Sequence, residues 1–398
     1  MNKSLALLAI ITLASFTAFS QGTANKTFGK GISLMSQDST FSLKFGARFQ
    51  SLFLADGVIN DDGQISDGSS TFLIRRSRFK FDGHAYSPKL KYKLEIGLSN
   101  RDISGASAQT RGADRMILDA VIKYNFYKGF TLWAGQTKLP GNRERVISSG
   151  NLQFVDRSLV NSKYNIDRDM GVQLRHKHKV GKMIVKEIFS VSQGEGRNVT
   201  AANLGGLDYT SRIELLPFGA FTSKGDYIGS AVKREESPKL AIGLTYDYHD
   251  RAVRQRGQQG SYLQDDNGDY ITSNLETFFL DMMFKYKGIS AMVEYADKNG
   301  DNVIALDNEG ISHGYYYTGT GLNAQLGYMF KSNWEVAGRM TTITPQQATG
   351  QNNIDQYTLG VSKFIVGHKL KVQSDFSFTQ EKNKNDVVMM RLQFDLHF

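Results

Sequence analysis

From about residue 41 to the last residue, apolar and polar side chains alternate one by one, and convincing helical periodicity is nearly absent. A period of two belongs to strands whose two faces meet different surroundings. The segment opening at Phe41 sets Phe41, Leu43, Phe45, Ala47, Phe49 and Phe53 against Ser42, Lys44, Gly46, Arg48 and Gln50. Leu90, Tyr92, Leu94, Ile96 and Leu98 alternate in the same way with Lys89, Lys91, Lys93 and Glu95. Later runs cover 240–248, 278–286, 289–295, 322–330 and 370–378. Counting them predicts an all-β chain of roughly sixteen strands, each about 9 to 15 residues long, as tilted membrane strands require.

The connections between these runs alternate in length. Short ones fall at Ser87-Pro88, Tyr127-Lys128-Gly129, Val180-Gly181, Lys287-Gly288, Lys331-Ser332-Asn333 and Gly367. Long ones fall at 56–70, 100–114, 139–167, 193–206, 250–273, 297–313 and 344–354. Tight turns at one end and long loops at the other are the pattern of an antiparallel up-and-down transmembrane barrel. Residues 217–238 break it, being loop-length where a tight turn is due, so either a hidden strand pair or a small structure of its own lies there. Tyr315, Tyr316 and Tyr317, with Trp133 and Trp334 beside turns, are the residue types that favour the headgroup level.

The two ends fit export and membrane insertion. Lys3 and the apolar run Leu5 to Phe19, closed by Ala18-Phe19-Ser20, read as a cleaved signal peptide over 1–20. Residues 21–398 then form one barrel. At the other end Val388, Met390, Leu392, Phe394, Leu396 and Phe398 alternate with polar residues. A dyad repeat ending on a terminal Phe resembles the strand by which the barrel-assembly machinery engages its clients. The expected location is the outer membrane of a Gram-negative bacterium, with lipid around the barrel. The chain contains no cysteine, which excludes disulfides and thiolate chemistry. Its net charge of +9 favours anions without naming them.

Phe72-Leu73-Ile74-Arg75-Arg76-Ser77-Arg78-Phe79-Lys80-Phe81 is the most distinctive stretch. With Ser77, Phe79 and Phe81 toward lipid, Arg76, Arg78 and Lys80 project into the lumen. Lys91 and Lys93 on the next strand, and Lys44 and Arg48 on the preceding one, extend the set to seven cations along one wall. Such a column attracts anions and passes them between weak sites. The bland alternative is a basic wall neutralised by loop acids. Loop 139–167 is too long for a structureless connection, and folding inward would explain its length. It carries Arg143, Arg145, Arg157 and Lys163 and is followed by Arg168. Glu144 and Asp156 are expected to pair with these arginines and hold the loop. The alternative is a loop lying on the outer surface.

Gly135-Gln136-Thr137-Lys138-Leu139-Pro140, then Arg143-Glu144-Arg145, Ser148-Ser149 and Phe154-Val155-Asp156-Arg157-Ser158-Leu159-Val160, resemble the phosphate-selective porin O and P family. So does Arg75-Arg76-Ser77-Arg78 followed by Gly83. The resemblance implies a 16-stranded, commonly trimeric barrel whose infolded third loop and lumen cations favour anions. Arg76 and Arg78 match its basic strand, and Arg143, Arg145 and Arg157 its constriction loop. The chain departs from the family at Gly141-Asn142, where Phe-Gly is more usual. It departs again in the C-terminal half, where Asp281, Glu294, Glu335 and Asp375 stand beside Lys285, Arg339, Lys371 and Arg391.

The expected function is passive diffusion of phosphate, polyphosphate or similar small anions through a homotrimer, without cofactor or nucleic acid. A general porin with little selectivity remains the alternative within the same class. A barrel carrying an enzyme would need a converging acid/base or nucleophile set, and none is evident. An adhesin would need longer outer loops. No metal centre is assigned: His176 and His178 share one side of a strand end, but no carboxylate or cysteine stands beside them in sequence.

Overall fold

The computed structural model describes residues 27–201 and 204–398. The signal-peptide expectation therefore lies outside the described residues. The barrel strands are β1 Phe41–Ile59, β2 Ile65–Ala85, β3 Ser87–Gly97, β4 Ile117–Tyr127, β5 Phe130–Lys138, β6 Arg168–Val180, β7 Met183–Ser192 and β8 Asp208–Leu216. They continue as β9 Lys239–Ala252, β10 Ser273–Tyr286, β11 Ile289–Gly300, β12 Gly319–Met329, β13 Trp334–Pro345, β14 Ile354–Phe364, β15 Leu370–Glu381 and β16 Val387–His397. Each pairs antiparallel with its sequence neighbours, and β16 pairs with β1, Leu396 opposite Phe49. Closure leaves no unpaired edge in the ring, the condition for burying strands in hydrocarbon. A short strand, Ile32–Met35, lies against the start of β1 at Ser42 to Phe45.

The alternation in sequence becomes an inside-out pattern in space. Along β8, Tyr209 and Ile213 are exposed, while Thr210, Arg212 and Glu214 are buried in the lumen. In β15 and β16, Phe376, Met390 and Phe394 face outward, and Gln373, Asp375, Arg391 and Gln393 face in. The seam is sealed by reciprocal bonds between Ala47 and Phe398, 2.8 and 3.0 Å, which tie the last residue to the first barrel strand.

Two departures from simple alternation matter. Between β1 and β2 the register slips at Gln50 and Ser51, which pair with Arg76 and Ile74 and leave Arg75 of β2 without a cross-strand partner. This β-bulge turns Arg75 and Arg76 inward together, where strict alternation sends Arg75 to lipid. The 217–238 segment contains no strand pair. It holds a short 3-10 turn, Thr222–Tyr227, and folds up into the barrel with Phe221, Asp226, Ser230, Ala231 and Glu235 buried. Two of the aromatic assignments also change. Trp133 faces the lumen rather than the headgroups, with Lys123 and Arg175 close to its ring. Tyr316 is fully buried beneath the outer loops, its hydroxyl donating to the Ile271 and Ala252 carbonyls.

Candidate functional site: a loop-lined passage along a basic wall

Loop 139–167 runs inside the barrel. Two short helices, α1 Arg143–Val146 and α2 Leu159–Tyr164, give it shape. Its apolar side chains find apolar partners on the barrel wall. Leu139, Val160, Tyr164 and Ile166 pack on Phe279, Ala296 and Ile343. Ile147 and Leu152 join Leu216, Ala241, Met283 and Met292, with Phe221 of the 217–238 segment completing the cluster. Burying each large side chain in such clusters contributes about 1.5–3 kcal/mol.

Polar contacts fix the same side. Arg143 Nε donates to Asp281 at 2.7 Å, and its Nη1 donates to the Asp226 carbonyl at 3.0 Å. The Glu144 backbone N–H donates to Glu294 at 2.6 Å, and Val155 N–H donates to Asp375 at 3.0 Å. Gln153 reaches Glu335 and Ser290 at 3.0 and 2.8 Å. The four acids that make the C-terminal half look mixed in sequence thus each accept from the loop. Residues 217–238 close the space beneath it: Gly229 N–H donates to the Asn151 carbonyl at 2.7 Å, and Ser230 Oγ donates to Glu335. Loop and segment together fill the lumen against β9 to β16, apart from a cavity of about 140 Å³ at the long-loop end beside Lys163, Tyr164, Ile343 and Ile354.

Open space remains on the other side, against β2 to β8. A cavity of about 490 Å³ opens toward the long loops and another of about 850 Å³ toward the short turns. Both are lined by Arg78, Lys138, Ser149 and Arg168, which mark the neck between them. At this neck Arg78 pairs with Asp102 at 2.7 Å and Glu95 at 3.3 Å, and reaches Ser149 Oγ at 3.4 Å. Arg168 faces Asp119 at 3.4 Å. Lys138 donates to the Arg145 and Ile147 carbonyls at 2.7 and 3.0 Å, closing the C-terminal end of α1 where a cation complements the helix dipole.

The outer cavity is lined by eleven arginines and Lys138 against Asp102, Asp156 and Asp167, so cations dominate it even after every ion pair is counted. Asp156 holds Arg75 at 2.5 Å, Arg76 at 3.5 Å and Arg391 at 3.7 Å. Burial pushes its carboxyl up, but these three guanidinium groups hold it below the usual carboxylate range. Burial and the like charges of Arg115 and Arg168 lower Arg197 to about 9, so it remains protonated at neutral pH. Arg157 is lowered by burial to about 10. An anion entering this cavity relieves like-charge repulsion among groups that cannot readily lose their protons.

The residues anticipated from sequence separate into groups. Arg76, Arg78, Arg145, Arg157, Arg168 and Asp156 line the outer cavity, and Lys91 and Lys93 line the inner one. Lys93 is shared between Glu95 and Asp119, both at 2.7 Å. Arg48 lies behind the loop, bound to Asp395 and donating to Ser149 Oγ at 2.8 Å. Arg143 lines neither cavity and is buried as an anchor. Lys80 pairs with Asp82 at 2.9 Å, Lys44 is exposed near the turn end, and Lys163 lies by Tyr317; none of the three reaches either cavity. Arg145 is ion-paired with Asp167. Glu144 accepts from Ser158 N–H and Oγ, at 3.0 and 2.6 Å, and from no arginine at hydrogen-bonding distance; Arg339 is 3.7 Å away. Arg157 donates to the Glu144 and Ile147 carbonyls at 2.8 Å each, so it braces the loop while facing the cavity.

Sequence reasoning missed Arg75, Lys138, Ser149 and the outer-loop arginines 101, 115, 197, 254 and 256. A bulge cannot be read from alternation, and the arginines lie on loops whose approach depends on the closed ring. One signal was present: Phe279 and Met283 stand at inward positions, and an apolar residue facing a lumen implies something packed upon it.

A closed sixteen-strand antiparallel barrel, apolar outside and polar within, narrowed by an infolded third loop, defines a porin-type channel of the outer membrane. The chain belongs to the phosphate-selective porin O and P family, whose profile matches residues 43–396. An uncharacterized protein of Aquifex aeolicus (strain VF5) is 23% identical over 359 residues, covering 83% of this chain and 81% of that one. Among solved structures, the anion-selective porin from Comamonas acidovorans superposes with a TM-score of 0.56 at 9% identity, covering 90% of this chain and all of that one. The outer membrane channel DcaP of Acinetobacter baumannii gives 0.53 at 13% identity, covering 91% and 99%. At such identities the two structures speak for the fold.

Proposed function

We propose that the protein is an anion-preferring pore for passive uptake of phosphate or similar small anions across the outer membrane of a Gram-negative bacterium. The observation that carries this reading is the neck: the two cavities meet at Arg78, Lys138 and Arg168, below a chamber where cations outnumber acids four to one. Low-dielectric walls strengthen that field, and a succession of weak cationic positions lets an anion enter and leave. Membership of the phosphate-selective family supports the same preference. Export through the N-terminal segment, insertion guided by the strand ending at Phe398, and a homotrimer complete the proposal.

The test is single-channel recording in a planar bilayer under a chloride gradient, with phosphate added to one side. Reversal potentials on the anion side, with phosphate blocking chloride current, support the reading. Large steps of little selectivity and no block would leave a general porin, and absence of steps would remove the channel reading.

A further inference from the structure

At the short-turn end of the barrel, a second group of polar residues lies apart from the neck. His176 and His178 sit two residues apart on β6 and share the outward face with Met170, Val172 and Leu174, all well exposed. The hairpin through Gly181 brings β7 back in register, so that Glu187 stands directly opposite His176. The carboxylate absent from the local sequence is thus supplied by the fold. Nδ1 of His176 is 2.6 Å from Glu187 Oε2, and Nδ1 of His178 is 3.6 Å from the same oxygen. The ligand atoms of all three residues lie within 4.8 Å of one another.

Three features make this more than a hydrogen-bonded strand pair. Phe130 stacks on the His176 ring with centroids 3.9 Å apart and planes 12° from parallel, and His178 stacks on the same His176 ring at 4.8 Å. The imidazoles are therefore oriented before any ligand arrives. His178 Nδ1 is shielded from solvent and has no hydrogen-bond partner, so the cluster is one interaction short. Glu187 is half exposed, with its Oε2 in contact with His176. Tetrahedral ligation at about 2.0–2.1 Å spaces ligand atoms about 3.3 Å apart. The His178 to Glu187 separation already matches, a swing of under about 1 Å by the carboxylate opens that of His176 to Glu187, and the two imidazoles, within 4.8 Å of each other, close by no more than about 1.5 Å.

We propose that His176, His178 and Glu187 form a surface site for a borderline divalent transition metal such as Zn²⁺, with a fourth position open to water. Two imidazole nitrogens and one carboxylate select such ions over Mg²⁺ and Ca²⁺, which prefer all-oxygen shells. Ligation would clamp β6 to β7 at the turn end.

The test is isothermal titration of the tag-free full barrel in detergent with Zn²⁺, alongside His178→Gln, Glu187→Gln and a His176→Gln/His178→Gln double variant. Folding of each variant is checked by heat-modifiable migration on a gel. The expected result is one saturable site, weakened at least about tenfold in either single variant, since even outer-shell changes cost that much, and lost in the double. Electron paramagnetic resonance with Cu²⁺ should show coupling to two imidazole nitrogens in the parent and none in the double variant. Zn²⁺ binding that persists in the folded double variant, or a parent that binds no better than it, overturns the proposal.

Discussion

The two sides of the lumen are built from the same kinds of residue and put to opposite uses. On the side from β9 to β16, Asp281, Glu294, Glu335 and Asp375 each accept a hydrogen bond from loop 139–167, and Phe279 and Met283 pack beneath it. On the side of β2 to β6, Glu95, Asp102 and Asp119 pair directly with Arg78, Lys93 and Arg168 beside the open space. A buried carboxylate held by a loop says nothing about permeation, whereas one beside the passage trims its charge. Selectivity therefore depends on which wall a charge occupies, rather than on the total for the lumen.

Several variants can break this division, and the largest effect is expected at the sealed wall. Arg143→Ala leaves Asp281 and Glu214 buried with one cation fewer, and breaking such a pair costs about 3–5 kcal/mol. Chemical denaturation should show that loss, and single-channel records should become larger and noisier as the loop detaches. An unchanged midpoint and unchanged conductance would mean the loop is held by other contacts. Replacing 219–236 with a tight turn removes the floor beneath the loop. Conductance is expected to rise while the sign of the reversal potential stays on the anion side, because Arg78 and Arg168 remain.

On the open wall, Arg78→Ala exposes Glu95 and Asp102 at the neck. One unit charge at about 4 Å in water is worth about 1 kcal/mol, roughly fivefold in local anion concentration. The anion-to-cation permeability ratio should fall by about that factor. Arg75→Ala should do less, because Asp156 keeps Arg76 and Arg391. If both lower the ratio equally, the neck is not where the charge acts. The smallest effect expected is with acid. Asp102 and Asp156 are held below the usual carboxylate range by their arginines, against the upward push of burial. They stay ionised as the pH falls from 7 to about 4.5, and chloride reversal potentials at those two values should differ little.

Much of the fold was legible because strand alternation is a local property. Inward Arg212 and outward Ile213 follow from parity alone, and short turns such as Lys287-Gly288 mark the strand ends. The site was legible only in part. Arg78 and Arg168 reach the neck as alternation and the loop's length suggest. Lys80 and Lys44 have the right parity but lie too far toward the turn end. Arg143 has the right loop, yet its partners come from β8 and β10, about 70 and 140 residues later. Arg75 needed a bulge, and the 217–238 floor needed the closed ring above it. Each of these depends on contacts between distant residues, which a periodic pattern does not encode.

The absence of cysteine from the chain makes the central claim directly measurable. Ser149→Cys places a thiol at the neck, and Ser290→Cys places one beneath Gln153 on the sealed wall. Each variant is exposed in a bilayer to a charged methanethiosulfonate reagent while current is recorded. The division of the lumen predicts rapid modification and a stepwise fall in current for Ser149→Cys, with Ser290→Cys inert. Equal modification at both positions would show that solute passes along both walls and would contradict it.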